Sequence, residues 1–118
     1  MNIVGASIGR TAIYQSDVLA NINQAVCLIR FMDDSMNLGY MLNFFNSTTC
    51  IGFMYDKQVD NARANLSMGN ISKFLIPVPP AEEQSRINNK VAYLMSIIDK
   101  MEVELKKKQR IVELLGTG

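Results

Sequence analysis

From Pro80 onward the chain runs to Leu115 without a glycine or a further proline. That stretch constrains the fold more than any other feature. Pro80 suits a first helical position, where the missing N–H has no intrahelical partner to lose. Glu82 and Glu83 place negative charge at the positive end of the helix dipole, and Gly116 is a natural stop. A helix of about 36 residues spans about 54 Å at its usual rise. Its apolar residues have a period: Ile87, Val91, Leu94, Ile98, Met101, Leu105, Val112 and Leu115 alternate four-three spacing, and only Lys108 breaks the series. This is a heptad seam, the pattern of a coiled coil. Ile97, Val103, Ile111 and Leu114 widen the stripe. A helix cannot bury such a face against itself. The chain contains no second long helix, so the expected partner lies in another molecule.

Residues 1 to about 78 have a different texture, with glycine, asparagine and serine between short apolar runs. Thr11 to Tyr14 and Ala25 to Phe31 have the length and residue types of strands. Asp34 or Ser35 is placed to cap a helix near 36–46, and Ser47 to cap a second over 48–62. Ile71 to Phe74 fits one more helical turn. Leu75 to Val78 is then extended, because a residue before proline avoids the α region. The expected architecture is α+β: a small domain over 1–78, then one long C-terminal coiled-coil helix over 79–118.

Composition removes several classes of function. With a formal net charge of +1 the chain has no global basic field, so nucleic acid would be held by local patches or within an assembly. There is no histidine, which excludes His-based acid–base pairs and triads. Cys27 and Cys50 fit no metal-ligand spacing and sit in apolar runs, as reduced core thiols do. Glu104-Leu105-Lys106 has the form of a nuclease Glu-x-Lys, but lacks an upstream Pro-Asp and places Leu105 in the seam. Val78-Pro79-Pro80-Ala81 lacks the polar and aromatic flanks of an amino-methyltransferase motif. No apolar stretch approaches the roughly 20 residues of a membrane span, and Met1 to Gly5 is unlike a signal peptide. The expectation is a cytoplasmic, non-catalytic chain without cofactor or metal.

Four polar segments have two readings each. Gly5 to Arg10 forms tight turns, or brings Ser7 and Arg10 to a DNA backbone; it has neither a P-loop ending nor a dinucleotide-binding spacing. Asn21, Asn23 and Gln24 close turns through their own backbone, or meet adenine edges in a major groove. Arg63 to Asn70 is a solvated loop, or touches phosphate and base. Lys106 to Arg110 is a solvated helix face paired with Glu102 and Glu104, or docks on phosphate or an acidic partner.

Three segments, in order, carry a resemblance. Gly5 to Ile29 is similar to the central part of a recognition domain in the DNA-specificity (S) subunit of type I restriction-modification systems. Asn65 to Phe74 resembles the loop and helical turn near the end of such a domain. Ile76 to Ile87 (IPVPPAEEQSRI) matches the I-P-x-P-P-x-x-E-Q-x-x-I signature at which these domains pass into a spacer helix. The resemblance implies a subunit with two recognition domains and two antiparallel spacer helices that set the distance between DNA half-sites. Methylation subunits using S-adenosylmethionine and ATP- and Mg²⁺-dependent restriction subunits would assemble on it.

Recognition domains of the family are longer ahead of that signature, so the expectation is a specificity-subunit fragment that binds double-stranded DNA weakly alone. Its expected DNA contacts are Arg10, Arg63, Asn65, Ser67 and Lys73. Its expected homodimer interface is Ile87, Val91, Leu94, Ile98, Met101, Leu105 and Val112. Two other readings remain: an interaction protein that dimerises and docks restriction-modification subunits without reading DNA, or a specificity module cut from a fused methyltransferase-nuclease.

Overall fold

The computed structural model describes residues 1–56 and 66–116. Four helices follow one another: α1 (Leu38–Phe45), α2 (Thr48–Asp56), α3 (Met68–Ile71) and α4 (Ala81–Gly116). The first three starts are each set by a side chain that satisfies an otherwise orphaned N–H. Asn37, not Asp34 or Ser35, caps α1 by accepting from Tyr40 N–H at 2.9 Å. The Ser47 hydroxyl accepts from Cys50 N–H at 3.2 Å at the start of α2 and donates back to Phe44 O at 2.6 Å. Ser67 caps α3 through Asn70 N–H at 3.1 Å.

The α+β expectation is overturned. Among the described residues there is no strand, only isolated bridge residues: Asn2 pairs antiparallel with Val26, and Val4 is a second bridge position. The Asn2–Val26 bridge is flanked by Ile3 N–H to Ala25 O and Cys27 N–H to Met1 O, both 2.8 Å. Toward Gly5 and Asn23 both segments soon turn away. On one side Gly5 and Gly9, both at positive φ, close a tight loop. On the other the Asn23 side chain takes Ala25 N–H at 2.9 Å and bends the chain. The run Thr11 to Tyr14 finds no ladder partner; beyond it the Tyr14 hydroxyl donates to Val18 O, and Val18 N–H to Ser16 Oγ. β-Rich residue types favour a strand only where a neighbour exists to pair with.

Met1 to Val4 nevertheless ties distant parts together. Asn2 N–H donates to Arg10 O and Gly9 N–H to Asn2 O, each 2.8 Å, while Leu66 N–H donates to Ile3 O at 2.9 Å. Successive residues of an extended segment address opposite edges, so one short segment joins residues 9–10, 25–27 and 66. Their side chains meet α1 and α2 in a core of Met1, Ile3, Cys27, Tyr40, Met41, Phe45, Cys50, Met54 and Leu66. Gly9 is required twice over. Its φ is +87°, and a Cβ there would lie 2.6 Å from Sδ of the fully buried Met54.

α4 leaves this body after its first three turns. Gln84 is its one buried residue, and Ile87 packs against the core. From Tyr93 to Leu115 its large apolar side chains are exposed, Ile97 excepted, which is half-buried. The radius of gyration is 18.7 Å, against about 13–14 Å for a compact chain of this length.

Candidate nucleic-acid interface

Of the five expected DNA contacts, Arg63 and Asn65 lie outside the described residues. Arg10 and Lys73 are exposed. The Arg10 backbone is fixed, accepting from Asn2 N–H at 2.8 Å and donating to Ser7 O at 3.2 Å. Ser67 is also exposed, but its hydroxyl is occupied as the cap of α3. The ladder around Met1 to Val4 places Arg10 at one edge and Leu66, next to Ser67, at the other. Among the described residues no hydrogen bond or ion pair joins Arg10, Ser67 and Lys73 to one another. Arg10 and Lys73 are thus exposed cationic side chains, and the backbone of Arg10 is braced.

The turn residues of the same region are largely absorbed by structure. Asn2 Nδ2 donates to Ser7 Oγ at 2.6 Å and to Val4 O at 3.1 Å, which uses Ser7 inside the glycine loop. Asn21 and Asn23 accept from the backbone N–H of Ile22 and Ala25. Asp33 accepts from Ser35, and those hydrogen bonds hold its carboxyl below the usual range.

The junction between body and arm is built from polar groups that sequence reasoning did not single out. Gln84 is 1% exposed. Its Oε1 accepts from Asn37 N–H at 2.8 Å, and its Nε2 donates to Ser35 O at 3.1 Å and Pro79 O at 2.9 Å. One turn further on, the Asn88 amide lies against α1 at Gly39 and accepts from Asn43 Nδ2 at 3.1 Å. The Tyr40 hydroxyl donates to Pro77 O at 2.7 Å. The proline-rich segment, which lacks N–H groups of its own at 77, 79 and 80, is thus held through its carbonyls. The signal for Gln84 was its place in the Glu-Gln pair of the signature; its physical role needed a contact 47 residues away.

The seven expected interface residues divide. Ile87 is taken up by the core and Val91 is half-buried, while Leu94, Ile98, Met101, Leu105 and Val112 are exposed. On the exposed surface Glu83 pairs with Arg86 and Glu104 with Lys107 along the helix, and Lys90 lies over the Tyr93 ring. Among the described residues there is no cluster of three or more metal-ligating side chains, and no helix is long and apolar enough to cross a membrane.

The comparison with known families bears on this combination of a small braced body and a long clamped helix. No curated protein and no solved structure matches the chain. The sequence model of the type I restriction modification DNA specificity domain matches residues 2–115, which takes in the body, the junction and the arm alike. The chain therefore belongs to that family, as a non-catalytic specificity module with a role in DNA recognition and in scaffolding other restriction-modification subunits.

Proposed function

We propose that residues 1–78 form the part of a DNA-recognition domain that carries Arg10, Arg63, Asn65, Ser67 and Lys73 toward DNA, and that residues 79–118 form a spacer that pairs with a second helix. The observation that carries this reading is the exposed face of α4: Leu94, Ile98, Met101, Leu105 and Val112 repeat on one side of a helix that no other described element covers beyond its first turns. An apolar seam of that length in water calls for a partner.

The partner that suits it is a second copy, running antiparallel. Between Leu94 and Glu104 the arm carries Asp99, Glu102 and Glu104 against Lys100 alone; between Leu105 and Leu115 it carries Lys106, Lys107, Lys108 and Arg110 against Glu113. Antiparallel pairing sets the acidic half on the basic half, whereas parallel pairing sets like on like. Because the body occupies Ile87, the free seam is shorter than the sequence period suggests. Overlap from Val91 to Leu115 faces Leu94 with Val112 and Met101 with Leu105 of the second copy. Lys108 then lies opposite Ile98 of that copy, one helical turn from Glu102, which its long side chain can reach to relieve the burial of its charge. A two-fold axis makes this interface isologous. The setting is the cytoplasm, where methylation and restriction subunits would dock on the pair.

The experiment is size-exclusion chromatography with light scattering on the chain alone, with duplex DNA, and with a methylation subunit. A dimer that takes up both supports the proposal. A dimer that takes up the subunit but no DNA at low salt points to an interaction protein, and a monomer at high concentration removes the self-pairing.

A further inference from the structure

We infer that Gln84 is a positioning residue that sets the direction in which α4 leaves the body. A scaffold holding a DNA-reading body at a fixed place relative to a second helix needs one defined angle at the junction, and apolar packing alone supplies little of that. Hydrophobic contact is non-directional, whereas hydrogen bonds are angular. At this junction the direction comes from Gln84. One side chain binds three backbone groups, on two sides of itself: Asn37 N–H and Ser35 O at the head of α1, and Pro79 O at the head of α4. Its amide uses both donors and its oxygen, and it is 1% exposed, so water does not compete. The neighbouring contacts share the load without replacing it. Tyr40 holds Pro77 and Asn88 meets Gly39 and Asn43, but neither ties the head of α4 to the head of α1. Beyond Ile97 every residue of α4 is exposed, so a small rotation at Gln84 is carried undamped along the arm. The inference rests on the scaffolding role proposed above, but the measurement below concerns only the angle between body and arm and is independent of DNA binding and of self-pairing.

The test is a pulsed electron-spin distance measurement between nitroxide labels at Thr49 on α2 and Gln109 on α4, both exposed. Cys27 and Cys50 are buried and stay in place, with mass spectrometry confirming that they are unlabelled. Doubly labelled chain is diluted into unlabelled chain so that distances are read within one molecule. The starting protein is expected to give one narrow distribution. Gln84→Met keeps the side-chain length and the helix preference but removes all three bonds; it is expected to lose the single dominant distance while circular dichroism keeps its helix content. Gln84→Glu keeps the acceptor for Asn37 and loses both donors at neutral pH. It is expected to be broad at neutral pH and to narrow in acid, where its protonated carboxyl regains one donor, with the unsubstituted chain at the same pH values as the control for Asp33, Asp34, Glu82 and Glu83. A Gln84→Met chain that melts earlier but keeps the narrow distance would make Gln84 merely structural and overturn the inference. If Gln84→Met does not fold, Gln84→Glu decides alone: a width indifferent to pH overturns the inference, and acid narrowing supports it.

Discussion

Asn88 of α4 occupies the space that a β-carbon on Gly39 of α1 would need: its amide atoms lie 2.5 and 2.6 Å from that position. The two helices approach closely because position 39 has no side chain, and Asn43, one turn on, then reaches the same amide at 3.1 Å.

Gly39→Ala should therefore destabilise the body, by about 1–2 kcal/mol, as overpacking outweighs the gain in helix propensity. In an Asn88→Ala background the same change should become neutral or stabilising. Urea unfolding of the four proteins of this cycle measures the coupling; additive effects would show that the helices do not meet at this pair.

Leu94→Ala with Ile98→Ala should leave the melting of the body unchanged, since both side chains are exposed in the single chain. Self-association should weaken strongly. Truncating a buried Leu or Ile costs about 2–5 kcal/mol per site, and each site occurs twice in a two-fold pair. Sedimentation velocity across a concentration series reads the shift.

Lys108 is the one charged residue at a seam position. Lys108→Leu should tighten association while relaxing the choice of register, and Lys108→Glu should weaken it by burying a carboxylate opposite Ile98, one turn from the like charge of Glu102 of the second copy. The salt dependence should also fall in Lys108→Leu. Equal dissociation constants for all three proteins would place Lys108 outside the interface.

DNA binding by the chain alone should be weak and steeply salt-dependent, given a net charge of +1. Arg10→Ala and Lys73→Ala should each lower the slope of log K against log salt by about 1, if each meets one phosphate. Fluorescence anisotropy between low and moderate salt is sufficient; slopes that do not change would remove both residues from the interface.

Burial pushes the Cys50 thiol up to about 11. An acid whose folded pKa lies above its unfolded value holds its proton in the native state after the unfolded chain has lost it. Stability should therefore be full below the ordinary thiol value of 9.0 and fall as pH rises from there toward about 11. Cys50→Ala should flatten that limb. Thiol labelling of Cys50 at pH 8 should require unfolding.

The long helix was legible because its evidence is local and repeated: Pro80 stands immediately before it, and the acidic first turn, the seam and Gly116 lie within it. The α+β expectation failed because Thr11 to Tyr14 and Ala25 to Phe31 were read by residue type, while strand pairing depends on segments elsewhere in the chain. The caps were legible only in part. Ser47 was expected at the start of α2 and acts there, while Asn37 was passed over for Asp34 and Ser35 because any of them suits the role by type, and Ser67, expected on DNA, caps α3. The chemistry of Gln84 and Asn88 was illegible for a plainer reason: on a helix surface both read as solvated amides, and only α1 makes them otherwise.

The short ladder around Met1 to Val4 has a kinetic consequence. Ile3 cannot complete its pairing until Leu66 arrives, a closure across roughly sixty residues, whereas α4 needs only contacts within itself. The arm should be helical within microseconds and the body much later. In that interval two arms can meet before either body has closed. Fast-mixing refolding followed by far-ultraviolet circular dichroism and by core-thiol protection should thus give an early gain of helix independent of protein concentration and a later closing of the body, and only a step in which arms pair should quicken with concentration.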